Sequence, residues 1–349
     1  MRASRHDLAR LLATTIKVVE SRNTIPILST VRLVADGGKL TATATDLDIE
    51  ISGSVEAEGP LEVCVGAKLL AAVVNKAAGD EITIEPTDAG VVVRSGRNRT
   101  NLQTLPVDDF PTMAAGEWTA EFTTDLAALF APCQFAVSTE ETRYYLNGVH
   151  MHVDGGKLVA VATDGHRLAR NYGPTAPDFK GIIVPRKTVG ILPKGEITVR
   201  LSETKIQFAS PDVTITSKLI DGTFPDYQRV IPSGNDKRLV IDRQSFAAAV
   251  DRVSTISSER GRAVKLSIAD GQLTLAVNNP DSGSATEELA ADYSSEPIDI
   301  GFNARYLLDV AAQLSGGNAE FMLADAGSPT LIHDTGDADT LYVLMPMRV

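Results

Sequence analysis

The sequence DGGKLTATATD at residues 36–46 recurs almost unchanged as DGGKLVAVATD at residues 154–164. A third and weaker copy, DGQLTLAVNN, occupies residues 270–279. The starting positions 36, 154 and 270 are separated by 118 and 116 residues in a chain of 349. A spacing close to one third of the chain indicates one structural unit that is used three times.

Each third of the chain opens with an amphipathic helix pattern, in which apolar residues recur three and four positions apart. This pattern comprises Leu8, Leu11, Leu12 and Ile16, then Leu126, Leu129, Phe130, Cys133 and Val137, then Phe246, Ala249, Val250 and Val253. Alternating strand patterns follow, and the DG or DGG turns between them predict hairpins. A second, shorter helix pattern comprises Leu69, Leu70, Val73 and Val74, then Val189 and Leu192, then Leu307, Val310, Ala311 and Leu314. Pro132 interrupts the first helix of the middle third and predicts a kink there.

The predicted fold class is α+β, with three tandem repeats of a domain that contains two helices and an antiparallel sheet. One third of the 349 residues is a usual size for an independent domain. Breaks that contain Gly, Pro or Ser fall near residues 116–117 and 232–235. We therefore predict domains at residues 1–116, 117–234 and 235–349.

Composition and charge exclude only a few classes of function. The net charge of -12 argues against a conventional basic nucleic-acid-binding domain. Lys and Arg concentrate on the predicted helices, although solvated helix faces explain the same distribution. Cys64 and Cys133 fall in different repeats and are expected to be buried, small apolar residues. The charged amphipathic N-terminus and the absence of an apolar run of about 18 residues predict a cytoplasmic protein without a membrane partner.

One motif of the middle repeat suggests acid/base chemistry. TDGHR at residues 163–167 groups Asp164, His166 and Arg167 directly after a predicted strand. A DG turn is ordinary at that position, and the equivalent segment of the first repeat reads TDLDIE at residues 45–50. The catalytic interpretation therefore ranks below a simple turn, and we predict no catalytic residue.

His150 and His152 form an HxH pair that suggests a metal site. They alternate with Val149, Met151 and Val153, so both fall on the polar face of the predicted strand. No third ligand with suitable spacing follows, and we predict no metal and no cofactor.

Five segments together carry a family resemblance, four in the middle repeat and one in the last. They are RYYLNG (143–148), VATDGHRLA (161–169), IVPRK (183–187), TSKLIDGTFPDYQRVIP (216–232) and YVLMPMRV (342–349). In combination they resemble the bacterial sliding clamps, the β subunit of DNA polymerase III. In that family three similar domains form a crescent, and two crescents close head to tail into a ring around duplex DNA. The resemblance therefore implies a DNA clamp fold, with this chain forming half of a ring.

The resemblance implies a homodimer that binds double-stranded DNA without sequence specificity. The family positions that contact duplex match Arg22, Lys68, Tyr144 and Tyr145, with Arg143 beside them, and Glu140 stands where relatives often have Gln. At the dimer interface, Thr255, Ile256 and the following SSERGR stretch would meet Thr100 and Leu102 of the partner.

The resemblance also implies a pocket that grips short linear motifs of partner proteins. Its residues would be Leu146, Thr163, Gly165, His166, Arg167, Leu168, Pro225, Arg229, Val230, Asn303, Tyr306, Val343, Leu344, Met345, Pro346, Met347 and Arg348. The expected partners are the DNA polymerase III alpha subunit, the clamp loader, and other polymerases and repair proteins.

The resemblance accordingly predicts a processivity factor that has no catalytic chemistry of its own. A mildly cationic bore and an acidic exterior would keep the duplex centred and make retention depend on ring closure. Two alternatives remain: a clamp-fold paralogue that acts mainly as a peptide-binding module, and an acid/base enzyme centred on His166.

Overall fold

The computed structural model describes residues 1–20, 22–114, 116–257 and 263–349. The chain divides into two compact units, and both are discontinuous in sequence. The first unit comprises Met1–Asp125 and Gly190–Leu219, and the second comprises Leu126–Val189 and Ile220–Val349. The predicted limits of the three domains describe repeats rather than these units, and they stay a prediction.

Six α-helices lie in the described part of the chain. They are α1 (Arg5–Thr15), α2 (Ala67–Lys76), α3 (Leu126–Phe130), α4 (Arg186–Val189), α5 (Arg243–Ser254) and α6 (Ala304–Gln313). Short 3-10 helices occupy Ile16–Val18, Pro26–Ser29, Val107–Asp109, Gln134–Ala136, Glu141–Leu146 and Tyr227–Val230.

The same ranges contain twenty-five β-strands, all in antiparallel pairs. They are β1 (Arg2–Ser4), β2 (Thr30–Asp36), β3 (Lys39–Thr45), β4 (Ile49–Glu58), β5 (Leu61–Gly66), β6 (Glu81–Thr87), β7 (Gly90–Ser95), β8 (Asn98–Leu102), β9 (Thr104–Leu105), β10 (Ala120–Thr124), β11 (Gly148–Asp154), β12 (Lys157–Thr163), β13 (Arg167–Thr175), β14 (Ile182–Pro185), β15 (Ile197–Leu201), β16 (Lys205–Ala209), β17 (Val213–Lys218), β18 (Lys237–Asp242), β19 (Ala263–Ala269), β20 (Gln272–Asn279), β21 (Gly283–Ala290), β22 (Ile298–Asn303), β23 (Asn318–Leu323), β24 (Thr330–Asp334) and β25 (Asp337–Leu344).

The helices follow the predicted apolar patterns, with differences in the first and middle repeats. Side chains at the N-caps of α1, α5 and α6 accept backbone N–H groups, which satisfies donors that a helix leaves open. The predicted kink at Pro132 is wrong, because α3 ends at Phe130 and the chain continues through a turn into a 3-10 helix. Leu69 was predicted on the apolar face of α2, but it is 58% exposed. In the middle repeat α4 ends at Val189, so Leu192 lies beyond it.

The repeated DG and DGG phrases form the predicted hairpin turns. Gly37 and Gly38 join β2 to β3 with φ values of +55° and +84°, and Gly155 and Gly156 join β11 to β12 with +56° and +80°. A side chain with a Cβ is strained in this left-handed region, whereas glycine is not. The turn therefore requires the glycines of the sequence phrase that reveals the repeat.

The first unit is built on one thirteen-stranded sheet. Its main path runs β10-β15-β16-β17-β4-β1-β6-β7-β8, and β2, β3, β5 and β9 branch from β4. Strand β17 of the middle repeat pairs with β4 of the first repeat, with Val213 opposite Gly53. Helix α1 packs against α2 and β4, and Leu8, Leu12 and Leu70 are fully buried there.

The second unit contains two sheets and the helices α3 to α6. The eight-stranded sheet runs β14-β11-β12-β13-β25-β24-β23-β18, and the four-stranded sheet runs β21-β20-β19-β22. Strand β25 at the end of the chain pairs with β13 of the middle repeat, with Arg167 opposite Leu344. Beyond β25 the chain continues to a single bridge between Met347 and Gly301 of β22. The end of the chain therefore contacts two elements: β13, which begins at the last residue of TDGHR, and β22 of the four-stranded sheet.

Candidate functional site

The TDGHR segment forms a tight loop between β12 and β13 of the second unit. The Asp164 carboxylate accepts the backbone N–H groups of His166 at 2.9 Å and Arg167 at 3.0 Å. The Thr163 hydroxyl donates to the carbonyl of Arg167 at 2.7 Å and accepts the N–H of Gly165 at 3.1 Å. Gly165 has a φ of +90°, which explains glycine at this position.

The Arg167 side chain connects this loop to neighbouring segments, and only 9% of its area is exposed. Its guanidinium donates to Asp164 at 3.1 Å, to Asp309 of α6 at 2.5 Å and to the carbonyl of Phe135 at 2.8 Å. The guanidinium carbon also lies 4.3 Å from the ring centre of Tyr306 and 5.0 Å from that of Phe135. Arg167 therefore joins the loop, α6 and the segment after α3 through one planar group.

The terminal segment docks on this loop. The backbone N–H of Met345 donates to the carbonyl of His166 at 2.9 Å, and the N–H of Met347 donates to the carbonyl of Gly301 at 2.8 Å. The exposed His166 ring stacks at 6.4 Å on the Tyr306 ring. Met345 itself is 39% exposed, so a flexible apolar side chain remains at the surface.

An apolar cluster lies beside the loop on the eight-stranded sheet. It comprises Val159, Val161, Leu168, Tyr227, Leu341 and Val343, and Tyr172, Phe224, Ile231 and Leu331 pack against it. Tyr227 belongs to the 3-10 helix that carries Arg229 and the 50% exposed Val230. The surface consequently combines a buried apolar base with exposed residues around it.

The predicted pocket residues fall into three classes of burial within the second unit. Leu146, Thr163, Arg167, Leu168, Val343 and Leu344 are buried, Asn303, Tyr306, Pro346 and Met347 are partly buried, and Gly165, His166, Pro225, Arg229, Val230, Met345 and Arg348 are exposed. Asn303 also caps α6 by accepting the N–H of Arg305 at 2.9 Å. The buried members can support a ligand surface, and the exposed members can touch a ligand.

A cavity of about 420 Å³ opens next to the loop. Its charged lining comprises Arg143, Arg167, Arg186, Arg305, Glu140 and Asp164. Two of its four guanidinium groups are already paired, since Arg143 bonds to Glu140 and Arg167 to Asp164 and Asp309, and the exposed Arg186 adds positive charge at this place.

The predicted DNA-contacting residues of the second unit lie on one 3-10 helix. Glu141–Leu146 is this helix, and the rings of Tyr144 and Tyr145 meet edge to face at 5.8 Å. Arg143 donates through Nε and Nη2 to the Glu140 carboxylate. The hydroxyl of Thr142 and the guanidinium of Arg143 lower the pKa of Glu140. The charge of Arg143 is therefore directed toward a carboxylate of its own loop.

The other predicted contacts are divided between the two units, and among the described residues all but Leu102 are at least partly exposed. Arg22 and Lys68 of the first unit are both exposed. In the same unit Thr100 and Leu102 lie on β8, where Leu102 is buried. In the second unit Thr255 and Ile256 follow α5, and the predicted SSERGR stretch extends into residues 258–262, which lie outside the described residues.

The histidine pair lies among aromatic rings, so its prediction on a polar strand face is wrong. The His150 ring stacks on Phe224 at 4.7 Å and on His152 at 5.1 Å. Nε2 of His152 lies 2.9 Å from the Tyr227 hydroxyl. Burial, with a smaller contribution from the charge of His152, lowers the pKa of His150 to about 4. Within the described ranges no group of three or more His, Cys, Asp or Glu side chains is placed to hold a metal ion.

Sequence reasoning missed the residues that hold Arg167 in place. Asp309 lies three positions after Tyr306 on α6, so helical spacing could have suggested that both face the same surface. Phe135 belongs to a 3-10 helix after Pro132 and carries no periodic signal. The ranges that the structure describes contain no helix long and apolar enough to cross a membrane.

Comparisons with known proteins cover the chain almost completely. Family models described as the DNA polymerase III beta subunit match residues 1–114 (N-terminal domain), 123–226 (central domain) and 228–348 (C-terminal domain). A beta sliding clamp of Caulobacter vibrioides (strain NA1000 / CB15N) is 46% identical over 366 residues, which is 99% of this chain and 98% of that protein. A beta sliding clamp of Pseudomonas aeruginosa is 38% identical over 361 residues, with the same two coverages of 99% and 98%.

Solved structures show the same likeness. The crystal structure of a sliding clamp from Bartonella birtlesii bound to griselimycin has a TM-score of 0.97 and 48% identity, covering 100% of this chain and 99% of that chain. The DNA polymerase III subunit beta from Pseudomonas aeruginosa has a TM-score of 0.96 and 37% identity, with 100% of both chains covered. The predicted fold class, three tandem α+β repeats, is confirmed.

Proposed function

Since the chain belongs to the family of the DNA polymerase III beta subunit, the beta sliding clamps, we propose that it acts as a homodimeric ring around double-stranded DNA. The ring tethers the replicative polymerase in the cytoplasm and so confers processivity, without reading DNA sequence. It docks the DNA polymerase III alpha subunit, the clamp loader, and other polymerases and repair proteins. The observation that carries the proposal is the convergence of the TDGHR loop, the terminal segment and the apolar cluster on one surface of the second unit.

That surface suits an extended peptide. Exposed Met345 and Val230 offer apolar contacts above a base that is already packed. The exposed His166 ring and Arg186 in the wall of the adjoining cavity add groups that hydrogen-bond or attract a carboxylate. A few apolar contacts with polar groups around them are typical of sites for short linear motifs.

Two open sheet edges support ring closure. Among the described residues β8 pairs only with β7, and β21 pairs only with β20. An open edge offers a row of backbone donors and acceptors to another strand. β8 carries Arg99 and β21 carries Glu288, so pairing of β8 with β21 of a second copy brings opposite charges together. Two such head-to-tail contacts close a two-fold ring.

We propose that the ring makes only weak contacts with DNA. Arg22 and Lys68 are exposed, but Arg143 is bonded to Glu140. A ring holds DNA by topology and needs few phosphate contacts, whereas many contacts would slow sliding and make retention sensitive to salt.

The acid/base alternative finds little support in the loop. The Asp164 carboxylate and the Arg167 guanidinium are engaged in bonds that hold the fold. His166 then has no free acid or guanidinium of its own loop to work with. A turnover that His166→Ala abolishes would favour the enzyme, and a stable monomer at micromolar concentration would favour the peptide-binding paralogue.

Release from a cut circle tests the ring directly. The protein is loaded onto nicked circular DNA by a clamp loader, and the circle is then linearised. We expect the protein to stay on the circle at high salt and to leave after linearisation. The variant Thr100→Glu, which adds a carboxylate to the β8 edge, should load less well. Retention on the linear DNA contradicts topological binding.

A further inference from the structure

A loop in the first unit reproduces the TDGHR loop bond for bond. In the segment between β3 and β4, the Thr45 hydroxyl donates to the carbonyl of Ile49 at 2.8 Å and accepts the N–H of Leu47 at 3.0 Å. The Asp46 carboxylate accepts the N–H groups of Asp48 at 3.0 Å and Ile49 at 2.7 Å. The same four bonds hold the loop at residues 163–167.

The two loops differ at the residue that takes the left-handed conformation. Leu47 has a φ of +78° where Gly165 has +90°. Within the described ranges Leu47 is the one residue other than glycine with a positive φ, and this conformation is unfavourable for a leucine. Its side chain is 41% exposed, so burial in the core does not account for it. Strained residues that the surroundings hold in place are found at ligand sites more often than elsewhere.

Leu47 forms part of the wall of a cavity of about 370 Å³ that lies wholly within the first unit. Pro111 and Met113 add apolar wall, and Lys205 and Lys218 also line it. The wall is fixed in place, because the N–H of Met113 donates to the Glu50 carboxylate at 2.9 Å.

The two lysines in the lining of this cavity favour a ligand that carries a negative charge. Among the described residues its lining contains two lysines and no carboxylate, although the chain has a net charge of -12. Lys218 is paired with Asp48 at 3.0 Å, whereas Lys205 donates to the carbonyl of Ala114 at 2.7 Å and forms no ion pair with a described residue. An ammonium group next to exposed apolar side chains suits a ligand that joins an apolar side chain to a carboxylate.

We propose that this cavity is a second docking site, which binds an extended acidic peptide with a leucine-sized anchor on Leu47. The parallel with the TDGHR loop rests on the peptide-binding role given to that loop under the proposed function. The cavity, its cation and the strained leucine are independent of that role. A partner could then hold one protomer at two separate places.

Photo-crosslinking of the full-length protein tests the proposal. The probe is the peptide acetyl-Glu-photoleucine-Leu-Glu-amide, the matched control is its Lys-for-Glu version, and mass spectrometry locates the adducts. We expect adducts of the acidic probe on residues 45–48 or 111–114. The variant Leu47→Asn, whose side chain tolerates positive φ, should reduce them about tenfold, since a leucine-sized contact is worth about that factor.

The controls separate the two sites. Met345→Ala alters only the surface of the second unit and should leave the adducts at residues 45–48 and 111–114 unchanged. Leu47→Asn should unfold at the same or a higher urea concentration than the parent, so lost labelling does not reflect misfolding. Adducts confined to the TDGHR loop and Met345 overturn the second site and leave the proposed function standing. Equal labelling by the Lys probe, or undiminished labelling of Leu47→Asn, overturns it as well.

Discussion

Replacing Arg167 by methionine should destabilise the second unit more than any exposed ion-pair change in this protein. Arg167→Met keeps much of the apolar stem but leaves the carboxylates of Asp164 and Asp309 without their shared cation. Breaking a buried pair in this way typically costs 3–5 kcal/mol. The two carboxylates keep 17% and 31% of their side-chain surface exposed, so water relieves part of the loss. We therefore expect a cost of about 3 kcal/mol, at the lower end of that range.

The matched control is Arg200→Met in the first unit. Arg200 meets Glu121 at 2.6 Å, a distance similar to that between Arg167 and Asp309. This pair is exposed, at 37% and 58% of the two side chains, and its loss should cost less than about 1 kcal/mol. The comparison contrasts a buried guanidinium that bridges two carboxylates with an exposed guanidinium that meets one carboxylate and the Gln207 amide.

Hydrogen exchange measured by mass spectrometry is the suitable assay, because unfolding of a chain with two units need not be two-state. Amides of β13 and α6 should exchange about a hundredfold faster or more in Arg167→Met, which corresponds to about 3 kcal/mol. Exchange in the first unit should stay unchanged. Similar protection in Arg167→Met and Arg200→Met would refute the reasoning, because burial would then not decide the cost.

Four further changes test other parts of the structure. Unfolded chains protonate His150 below about pH 6.5, but the fold lowers its pKa to about 4, so stability falls as the pH drops between these values. His150→Phe should therefore recover about 3 kcal/mol relative to the parent at pH 4, measured by hydrogen exchange in the second unit. Gly148→Ala places a Cβ 2.3 Å from a carbonyl oxygen of β14 and should cost about 1–3 kcal/mol in the same assay. Gly234→Ala meets nothing within 4 Å and should change stability by less than about 0.5 kcal/mol. Glu140→Gln frees Arg143 to contact a phosphate. The slope of log K for linear duplex DNA against log salt concentration, measured by anisotropy titration, should then become steeper by about 0.9 per protomer. An unchanged slope contradicts a DNA contact of Arg143.

Local chemistry explains which parts of the fold could be predicted from the sequence. The DGG turns and the apolar faces of α1, α5 and α6 depend on residues close together in the chain, and both predictions are confirmed. The pairing of β17 with β4 and of β25 with β13 joins strands of different repeats. No pattern within either strand specifies such a partner, because two-residue alternation fits any neighbour.

The candidate site could likewise be predicted only where its residues are close together in the sequence. TDGHR was recognisable as one unit because a loop brings its residues together, but its contacts with Asp309 and Phe135 form only in the folded chain. The environment of His150 was mistaken because Phe224 reaches it from a distant segment. The roles of the pocket, DNA and interface residues stay predictions.

The pairing of strands from different repeats has a kinetic consequence during synthesis on the ribosome. About 155 residues separate the end of β4 at Glu58 from its partner β17, which begins at Val213. At about 5–20 residues per second, the edge of β4 waits about 8–30 s for that partner. β13 likewise waits for β25, whose first residue follows the end of β13 by about 160 residues. An unpaired edge attracts other strands, so the nascent chain passes through a period in which its speed of translation and its concentration decide between folding and aggregation.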